Sequence, residues 1–167
     1  MGIVVSENGT VMVDSRSYNS SLPYSIEYYD GKVYQIGKVQ IRSADGLVFI
    51  KPLVTADESP KYNFYPASFG DSDSLKIGQT IVALGGRESN TVSMGRVKQL
   101  ETNAQKKVIA VVSDILFGRV LPGSSIINLS GEIVGIEAVT GDSATYRYIP
   151  INALKLAKTE ALVELAK

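Results

Sequence analysis

The sequence of 167 residues contains no histidine and no cysteine. Without cysteine, the chain has no disulfide, no thiol nucleophile and no thiolate metal ligand. Histidine is the usual general base at neutral pH and the commonest metal ligand, so its absence excludes any Ser-His-Asp or Cys-His arrangement within the chain. A metal site would have to be built from carboxylates alone. We therefore expect no metal site and no cofactor.

The sequence also lacks an excess of charge of either sign, and it lacks long apolar runs. The chain has 17 basic and 17 acidic residues and a formal net charge of zero. This balance gives no electrostatic argument for nucleic acid or an anionic membrane as a partner. No apolar run approaches the roughly 18 residues of a membrane span. The amino terminus has the composition of a strand rather than of a signal peptide, which suggests that a further segment precedes it.

The first half reads as short strands separated by turns. Asn8-Gly9 favours a tight hairpin turn after the first strand, and Gly37 is placed to bend or bulge a long strand. Hairpin spacing without a helical period predicts an antiparallel barrel or sandwich. The predicted strands cover residues 2–6, 10–14, 24–29, 32–42 and 47–50.

The second half repeats this rhythm after a linker over residues 53–74, and then changes period. Apolar residues recur at helical spacing near the end of the chain, which predicts an amphipathic helix over residues 152–166, with Asn152 capping its start. We expect an N-terminal barrel over residues 1–68, a C-terminal barrel over 69–150 and a terminal helix over 151–167. The predicted strands of this half cover residues 79–84, 91–100, 107–113, 124–129, 132–139 and 145–149.

Several runs, taken in order, resemble the trypsin-like protease domain of HtrA-type (DegP-like) serine proteases. The most specific is residues 70–79 (GDSDSLKIGQ), which is similar to the family's G-D-S-x-x-L-x-x-G-x run. Residues 91–97 (TVSMGRV) resemble its T-V-T-x-G-x-V strand, and 128–136 (NLSGEIVGI) resemble its N-L-x-G-x-V-I-G-I hairpin. Residues 2–9 (GIVVSENG) and 148–152 (YIPIN) match its opening strand and its F-A-I-P-I-N entry into the last helix.

The resemblance implies an all-β fold of chymotrypsin type, in which two six-stranded antiparallel β-barrels are followed by a C-terminal α-helix. It also implies a location on the outer, periplasmic side of a bacterial membrane. The family often carries a membrane anchor before the first strand and a peptide-binding PDZ domain after the last helix. Many members form oligomers.

The catalytic positions that the resemblance implies are degenerate in the first half. The family's histidine lies in a T-N-x-H-V pattern, and residues 13–17 (VDSRS) place Arg16 there. A guanidinium stays protonated at any accessible pH and cannot accept a proton from a nucleophile. The family's aspartate precedes a buried strand, here in residues 45–51 (DGLVFIK). Depending on the alignment, its position falls on Asp45 or on Gly46.

The nucleophile position is degenerate too. The family's G-N-S-G-G-P-L motif aligns with residues 120–126 (VLPGSSI), which puts Pro122 at the serine and Val120 at the first glycine. Proline has neither a hydroxyl nor the backbone N–H that would form half of the oxyanion hole. The loop is a remnant or a binding surface in this interpretation. The candidate binding residues are Val120, Leu121, Gly123, Ser124 and Ser125.

These positions together predict a pseudoprotease, a domain that is not an enzyme and that binds or positions a protein or peptide. The resemblance implies a substrate cleft between the two barrels, and an extended peptide that binds there by strand addition is the expected ligand. The alternative is a serine endopeptidase with a rebuilt site, in which Ser124 or Ser125 is the nucleophile and Lys51 or Lys76 is the base.

Two smaller features have competing interpretations. Tyrosine is favoured at interfaces but is equally common on exposed strands, which is the preferred interpretation of the tyrosine-rich segments, and the aromatic run over residues 62–66 is the best candidate for an exception. Asp71 and Asp73 have the spacing of a cation site, but they are better explained as caps of a turn.

Overall fold

The structure is a computed structural model that describes residues 1–42, 46–55, 64–85, 92–115, 123–138 and 147–166. These residues form eleven β-strands and one α-helix. They divide into two compact units. One unit comprises residues 2–67 and 157–167, and the other comprises residues 68–156 together with Met1. None of the described helices is long and apolar enough to cross a membrane.

The unit of residues 2–67 is built on a five-stranded antiparallel sheet in the order β1-β2-β5-β4-β3. Its interior includes the central strand β5, whose Leu47, Val48 and Phe49 are almost fully buried. A continuous apolar run of this kind is typical of a strand covered on both faces. The strands are Gly2–Val4 (β1), Val11–Asp14 (β2), Ser25–Glu27 (β3), Val33–Arg42 (β4) and Leu47–Pro52 (β5).

Glycines shape this sheet where the sequence predicts them. The turn between β1 and β2 contains Gly9, whose φ of +81° is in the left-handed region that favours glycine. The N–H of Gly9 donates to the carbonyl of Ser6 at 3.0 Å and closes the predicted turn. The pairing of β4 with β5 shifts register between Ile36 and Lys38, which confirms the predicted irregularity at Gly37.

The unit of residues 68–156 is a closed six-stranded barrel in the order β10-β11-β8-β7-β6-β9. Its interior is one apolar cluster in which Ile81, Val111 and Ile126 have no exposed surface and Tyr148 has 1%. The strands are Thr80–Leu84 (β6), Val92–Thr102 (β7), Val108–Ser113 (β8), Ser125–Ile127 (β9), Ile133–Ala138 (β10) and Arg147–Pro150 (β11).

The helix α1 spans Ile151–Ala166 and begins one residue before the predicted start. The predicted cap is wrong, because Asn152 is the second residue of the helix and its side-chain Oδ1 accepts no hydrogen bond from the described residues. In the barrel unit the backbone N–H of Asn152 donates to Ser72 Oγ at 3.1 Å instead. In the other unit, Glu160 of α1 forms an ion pair with Arg42 at 2.8 Å. The buried side of the helix has the predicted spacing and consists of Ile151, Leu154, Ala157, Ala161 and Leu165.

The expected all-β architecture with a C-terminal helix is therefore present. The second half forms the closed six-stranded barrel that the sequence predicts. In the first half the described residues contribute five strands to an open sheet, against the six of the expected barrel.

Candidate functional site

Arg16, at the predicted histidine position, lies in a single 3₁₀ turn over Ser15–Ser17 that directly follows β2. Its guanidinium holds the Asp14 carboxylate at two points, with Nε to Oδ1 at 2.8 Å and Nη2 to Oδ2 at 2.6 Å. The backbone N–H of Arg16 also donates to Asp14 Oδ1 at 2.8 Å, so the same carboxylate caps the turn. The group at this position is thus a permanent cation that is paired with a largely buried carboxylate.

The residues at the predicted acid position are close to this turn. Ser15 donates its N–H to the carbonyl of Gly46 at 2.9 Å. In addition, Asp14 pairs with Leu47 in the antiparallel ladder between β2 and β5. Gly46 has a φ of +66°, which suits a turn residue. Asp45 lies outside the described residues, so the choice between Asp45 and Gly46 stays open.

The nucleophile loop is described from Gly123 onward, and Val120, Leu121 and Pro122 lie outside the described residues. Gly123 has a φ of +80° and is buried. Ser124 has no exposed surface, and its Oγ donates to the carbonyl of Gly85 at 3.0 Å. Ser125 begins β9 and is 5% exposed. The described part of the predicted binding loop therefore presents little side-chain surface to solvent.

Glu137 of β10 forms hydrogen bonds with this loop, although no sequence motif predicts such a role for it. Its Oε2 accepts the N–H of Gly123 at 3.2 Å, and its own N–H donates to the carbonyl of Ser124 at 2.8 Å. Glu137 is 1% exposed. The signal in the sequence is a glutamate in an otherwise apolar strand. A buried carboxyl oxygen that accepts a backbone N–H fixes the position of the loop.

The turn between β9 and β10 follows the loop of Gly123 and Ser124 in the chain and is fixed by its own hydrogen bonds. Gly131, at a φ of +79°, donates its N–H to the carbonyl of Asn128 at 3.0 Å. The Asn128 side chain accepts the N–H of Ser130 at 2.9 Å and that of Glu132 at 3.0 Å. Its Nδ2 donates to Glu132 Oε2 at 2.8 Å. The predicted Ser-Gly turn is confirmed.

Asp71 caps a turn, as predicted, whereas the side chain of Asp73 bonds outside that turn. Asp71 Oδ1 accepts the N–H of Asp73 at 3.0 Å, and Asp73 Oδ1 accepts the N–H of Val108 at 2.9 Å. The side-chain hydrogen bond from Asn152 to Asp71 holds the pKa of that carboxyl below its usual value. The backbone hydrogen bond from Val108 does the same for the pKa of Asp73, helped by Lys107.

Lys51 and Lys76, the candidate bases of a rebuilt serine site, belong to different structural units. Lys51 lies on β5, and its Nζ donates to the carbonyl of Leu165 at 3.5 Å, within the unit of residues 2–67 and 157–167. Lys76 is exposed and belongs to the barrel unit. Within that unit, its backbone N–H donates to Gln79 Oε1 at 3.0 Å.

Comparison with known proteins agrees with this fold. The family model described as a trypsin-like peptidase domain matches residues 1–136. The HtrA-type protease AlgW, solved with a decapeptide, superimposes with a TM-score of 0.76 at 13% identity, over 96% of this chain and 50% of that one. This match confirms the expected trypsin-like fold.

Curated relatives point to the same family. The chain is 23% identical over 141 residues to a probable periplasmic DegP-like serine endoprotease of Halomonas elongata, covering 82% of this chain and 28% of that protein. It is 22% identical over 168 residues to serine protease HTRA1 of Xenopus laevis, covering 96% of this chain and 35% of that protein. The chain thus spans about a third of the length of these relatives.

The buried loop on a closed antiparallel barrel, together with these matches, defines the class as a trypsin-like peptidase domain. The chain belongs to the trypsin-like peptidase domain family, and its resemblance within that family is to HtrA-type proteases.

Proposed function

We propose that this domain is a non-catalytic member of the family, a pseudoprotease that binds a protein or peptide. The observation that carries the proposal is the absence of histidine from the whole sequence, with Arg16 at the position of the family's general base. The two-point ion pair with Asp14 supports it, because a guanidinium held in this way remains a cation and does not take a proton from a serine.

The serine loop supports the same conclusion. Pro122 stands at the nucleophile position and supplies neither hydroxyl nor N–H. Of the neighbouring hydroxyls, that of Ser124 is committed to the Gly85 carbonyl in a residue without exposed surface. Losing members of a catalytic triad lowers the rate of hydrolysis by several orders of magnitude.

The retained role that we propose is recognition of an extended polypeptide by strand addition. AlgW, which shares the fold, was solved with a decapeptide, and this supports a peptide as the class of ligand. A periplasmic location is part of the proposal and is supported by the name of the DegP-like relative. A membrane anchor and companion domains in the full protein, as well as oligomers, belong to the proposal in the same way.

The experiment combines cleavage and binding on one substrate. Purified protein is incubated with unfolded, fluorescently labelled casein, and fragments and anisotropy are measured together. We expect saturable binding without cleavage. An active HtrA-type protease serves as the positive control for cleavage. Cleavage by this domain that is abolished by Ser124→Ala or Ser125→Ala would favour the rebuilt serine endopeptidase instead.

Labelling by a fluorophosphonate probe gives an independent test, because the probe reacts with activated serines whatever the substrate preference. We expect no labelled protein. Stoichiometric labelling that maps to Ser124 or Ser125 and that is lost in Lys51→Met or Lys76→Met would identify both the nucleophile and its base. Absence of casein binding in the first experiment would refute the binding role and leave the catalytic conclusion standing.

A further inference from the structure

A small pocket lies within the unit of residues 2–67. Its volume is about 50 Å³. Five aromatic residues, one carboxylate and Val4 line it. We refer to the aromatic residues and the carboxylate, namely Tyr28, Tyr29, Tyr34, Phe64, Tyr65 and Asp30, as the aromatic pocket.

Three rings make the inner part of the aromatic pocket rigid. The ring centroids of Tyr28 and Phe64 are 4.8 Å apart, and those of Tyr28 and Tyr34 are 5.4 Å apart with an interplanar angle of 84°. Tyr28 and Tyr34 are also buried, and the Tyr28 hydroxyl donates to the carbonyl of Gly9 at 2.6 Å. Aromatic rings that are fixed in this way lose little conformational entropy when a ligand binds.

The outer part of the pocket is exposed. Tyr29 is 84% and Tyr65 is 68% exposed, so these two rings are accessible to a ligand from solvent. Tyr65 belongs to the aromatic run that the sequence marks as the best candidate for an interface.

The only charge among these six lining residues is negative. Asp30 accepts the backbone N–H of Lys32 at 3.1 Å, and this hydrogen bond holds the pKa of the carboxyl below its usual value. The Lys32 ammonium lies 3.2 Å from the same carboxylate, but both side chains are well exposed to solvent. An exposed pair of this kind contributes little and exchanges readily with another cation.

We propose that the aromatic pocket binds a quaternary ammonium group of a small soluble compound. The faces of aromatic rings carry partial negative charge and attract cations, and a carboxylate beside them reinforces the selectivity for positive charge. A methylated ammonium suits this lining better than a primary one, because rings do not replace the hydrogen bonds that a primary ammonium makes to water. The proposal is independent of the pseudoprotease assignment.

The test uses choline and its neutral isostere 3,3-dimethylbutan-1-ol, which share their shape and differ in charge. Each is titrated into the ¹⁵N-labelled protein, and the amide shifts of Tyr29, Asp30 and Tyr65 are followed. We expect saturable shifts with choline and at least about fivefold weaker binding of the alcohol. Butylammonium, a primary amine, is expected to bind more weakly than choline.

Variants test the roles of single residues. Tyr65→Ala and Asp30→Asn are each expected to weaken choline binding by about fivefold or more, whereas Lys32→Ala removes the competing cation and strengthens it. Tyr18→Ala, in a ring pair outside the pocket, is the matched control and is expected to leave binding unchanged.

Three outcomes would overturn the proposal. Equal binding of choline and the alcohol would identify an ordinary apolar pocket without charge selectivity. The absence of saturable shifts at millimolar choline would show that the pocket is not a site. Binding to phosphatidylcholine vesicles without binding to free choline would assign the pocket to a lipid surface rather than to a soluble compound.

Discussion

Arg16 and Asp14 form a two-point ion pair across a single 3₁₀ turn, and the same carboxylate accepts the backbone N–H of Arg16. One side chain thus caps the turn and orients the guanidinium at the position that the sequence predicts for the family's histidine. Asp14 is 7% exposed, whereas the Arg16 side chain is 40% exposed. The two partners therefore contribute differently to stability.

The first prediction separates the cap from the ion pair. Asp14→Ala removes both and is expected to lower the free energy of unfolding by about 1–2 kcal/mol. Arg16→Ala removes only the half-exposed partner and is expected to cost less than about 1 kcal/mol. Urea unfolding monitored by circular dichroism measures both. Equal losses in the two variants would mean that the cap contributes nothing beyond the pair.

The second prediction concerns Gly9. Its left-handed φ of +81° is unfavourable for alanine, and a Cβ at this position would meet the Phe64 ring at 2.8 Å. Gly31 is the matched control, because its φ is +78° but a Cβ there would meet nothing within 4 Å. Gly31→Ala is expected to cost about 1–2 kcal/mol from backbone strain alone, and Gly9→Ala is expected to cost more.

Thermal unfolding of Gly9→Ala and Gly31→Ala measures the two losses of stability. If the two variants were equally stable, the contact between Gly9 and Phe64 would carry no energetic weight. A larger loss in Gly9→Ala would also be expected to disturb the aromatic pocket, because the Gly9 carbonyl accepts the hydroxyl of Tyr28.

Local turn chemistry explains why much of this fold can be predicted from the sequence. Gly9 and Gly131 adopt left-handed φ values that few other residues adopt, and each lies in a predicted turn. Gly37 has no such φ, but the strand pairing shifts register beside it. The terminal helix follows from apolar residues at helical spacing. The helix starts one residue before the predicted position, and its second residue, Asn152, donates its N–H to Ser72, a partner 80 positions away that local spacing does not reveal.

The site is harder to predict because its contacts are not local. The burial of Glu137 depends on packing of β10 against a loop 14 residues earlier in the chain, and strand alternation alone does not reveal the hydrogen bond to Gly123. The prediction that Arg16 and Pro122 stand at catalytic positions uses only the order of residues along the chain. The pairing of Arg16 with Asp14 needs coordinates, since residues two apart have no fixed geometry outside a regular element.

The third prediction is a dependence of stability on alkaline pH. Burial raises the pKa of Tyr28 from 10.0 to about 12. The unfolded chain loses this proton at lower pH than the folded one, so the stabilisation is fully present below pH 10 and is lost as the pH rises through about 12. Unfolding free energy is therefore expected to fall more steeply above pH 10 in the wild type than in Tyr28→Phe.

Ultraviolet titration of phenolate provides the site-specific measurement. Tyr28→Phe is expected to remove a transition at the alkaline end of the titration and to leave the earlier ones unchanged. Loss of an ordinary tyrosine transition instead would show that the Tyr28 hydroxyl is not shielded from solvent.

The fourth prediction concerns acid pH and Asp73. Hydrogen bonds from Val108 and Lys107 lower the pKa of this carboxyl in the folded state. Its contribution to stability is therefore present above the ordinary carboxyl pKa and is lost as the pH falls through the lowered value. Asp73→Asn is expected to be less stable than the wild type at neutral pH and equally stable in strong acid. A gap between the two that is independent of pH would show that ionisation of Asp73 plays no part.

The fifth prediction is that Glu137 fixes the conformation of the loop that contains Gly123 and Ser124. Glu137→Ala leaves the buried N–H of Gly123 without this acceptor and creates a cavity, so we expect a loss of about 2–4 kcal/mol. Glu137→Gln keeps a carbonyl oxygen of similar reach and is expected to cost less. Glu132→Ala is the matched control, because Glu132 is a half-buried glutamate in the adjacent turn whose carboxylate accepts from Asn128.

Hydrogen exchange at Gly123 distinguishes a local role of Glu137 from a general one. If the carboxylate holds the loop, exchange of the Gly123 amide accelerates in Glu137→Ala beyond the change in global stability, and it does so much less in Glu137→Gln. Uniform acceleration across β9 and β10 would instead mean that Glu137 only fills space in the barrel. Because neither variant supplies a base or a nucleophile, both are expected to leave casein uncleaved.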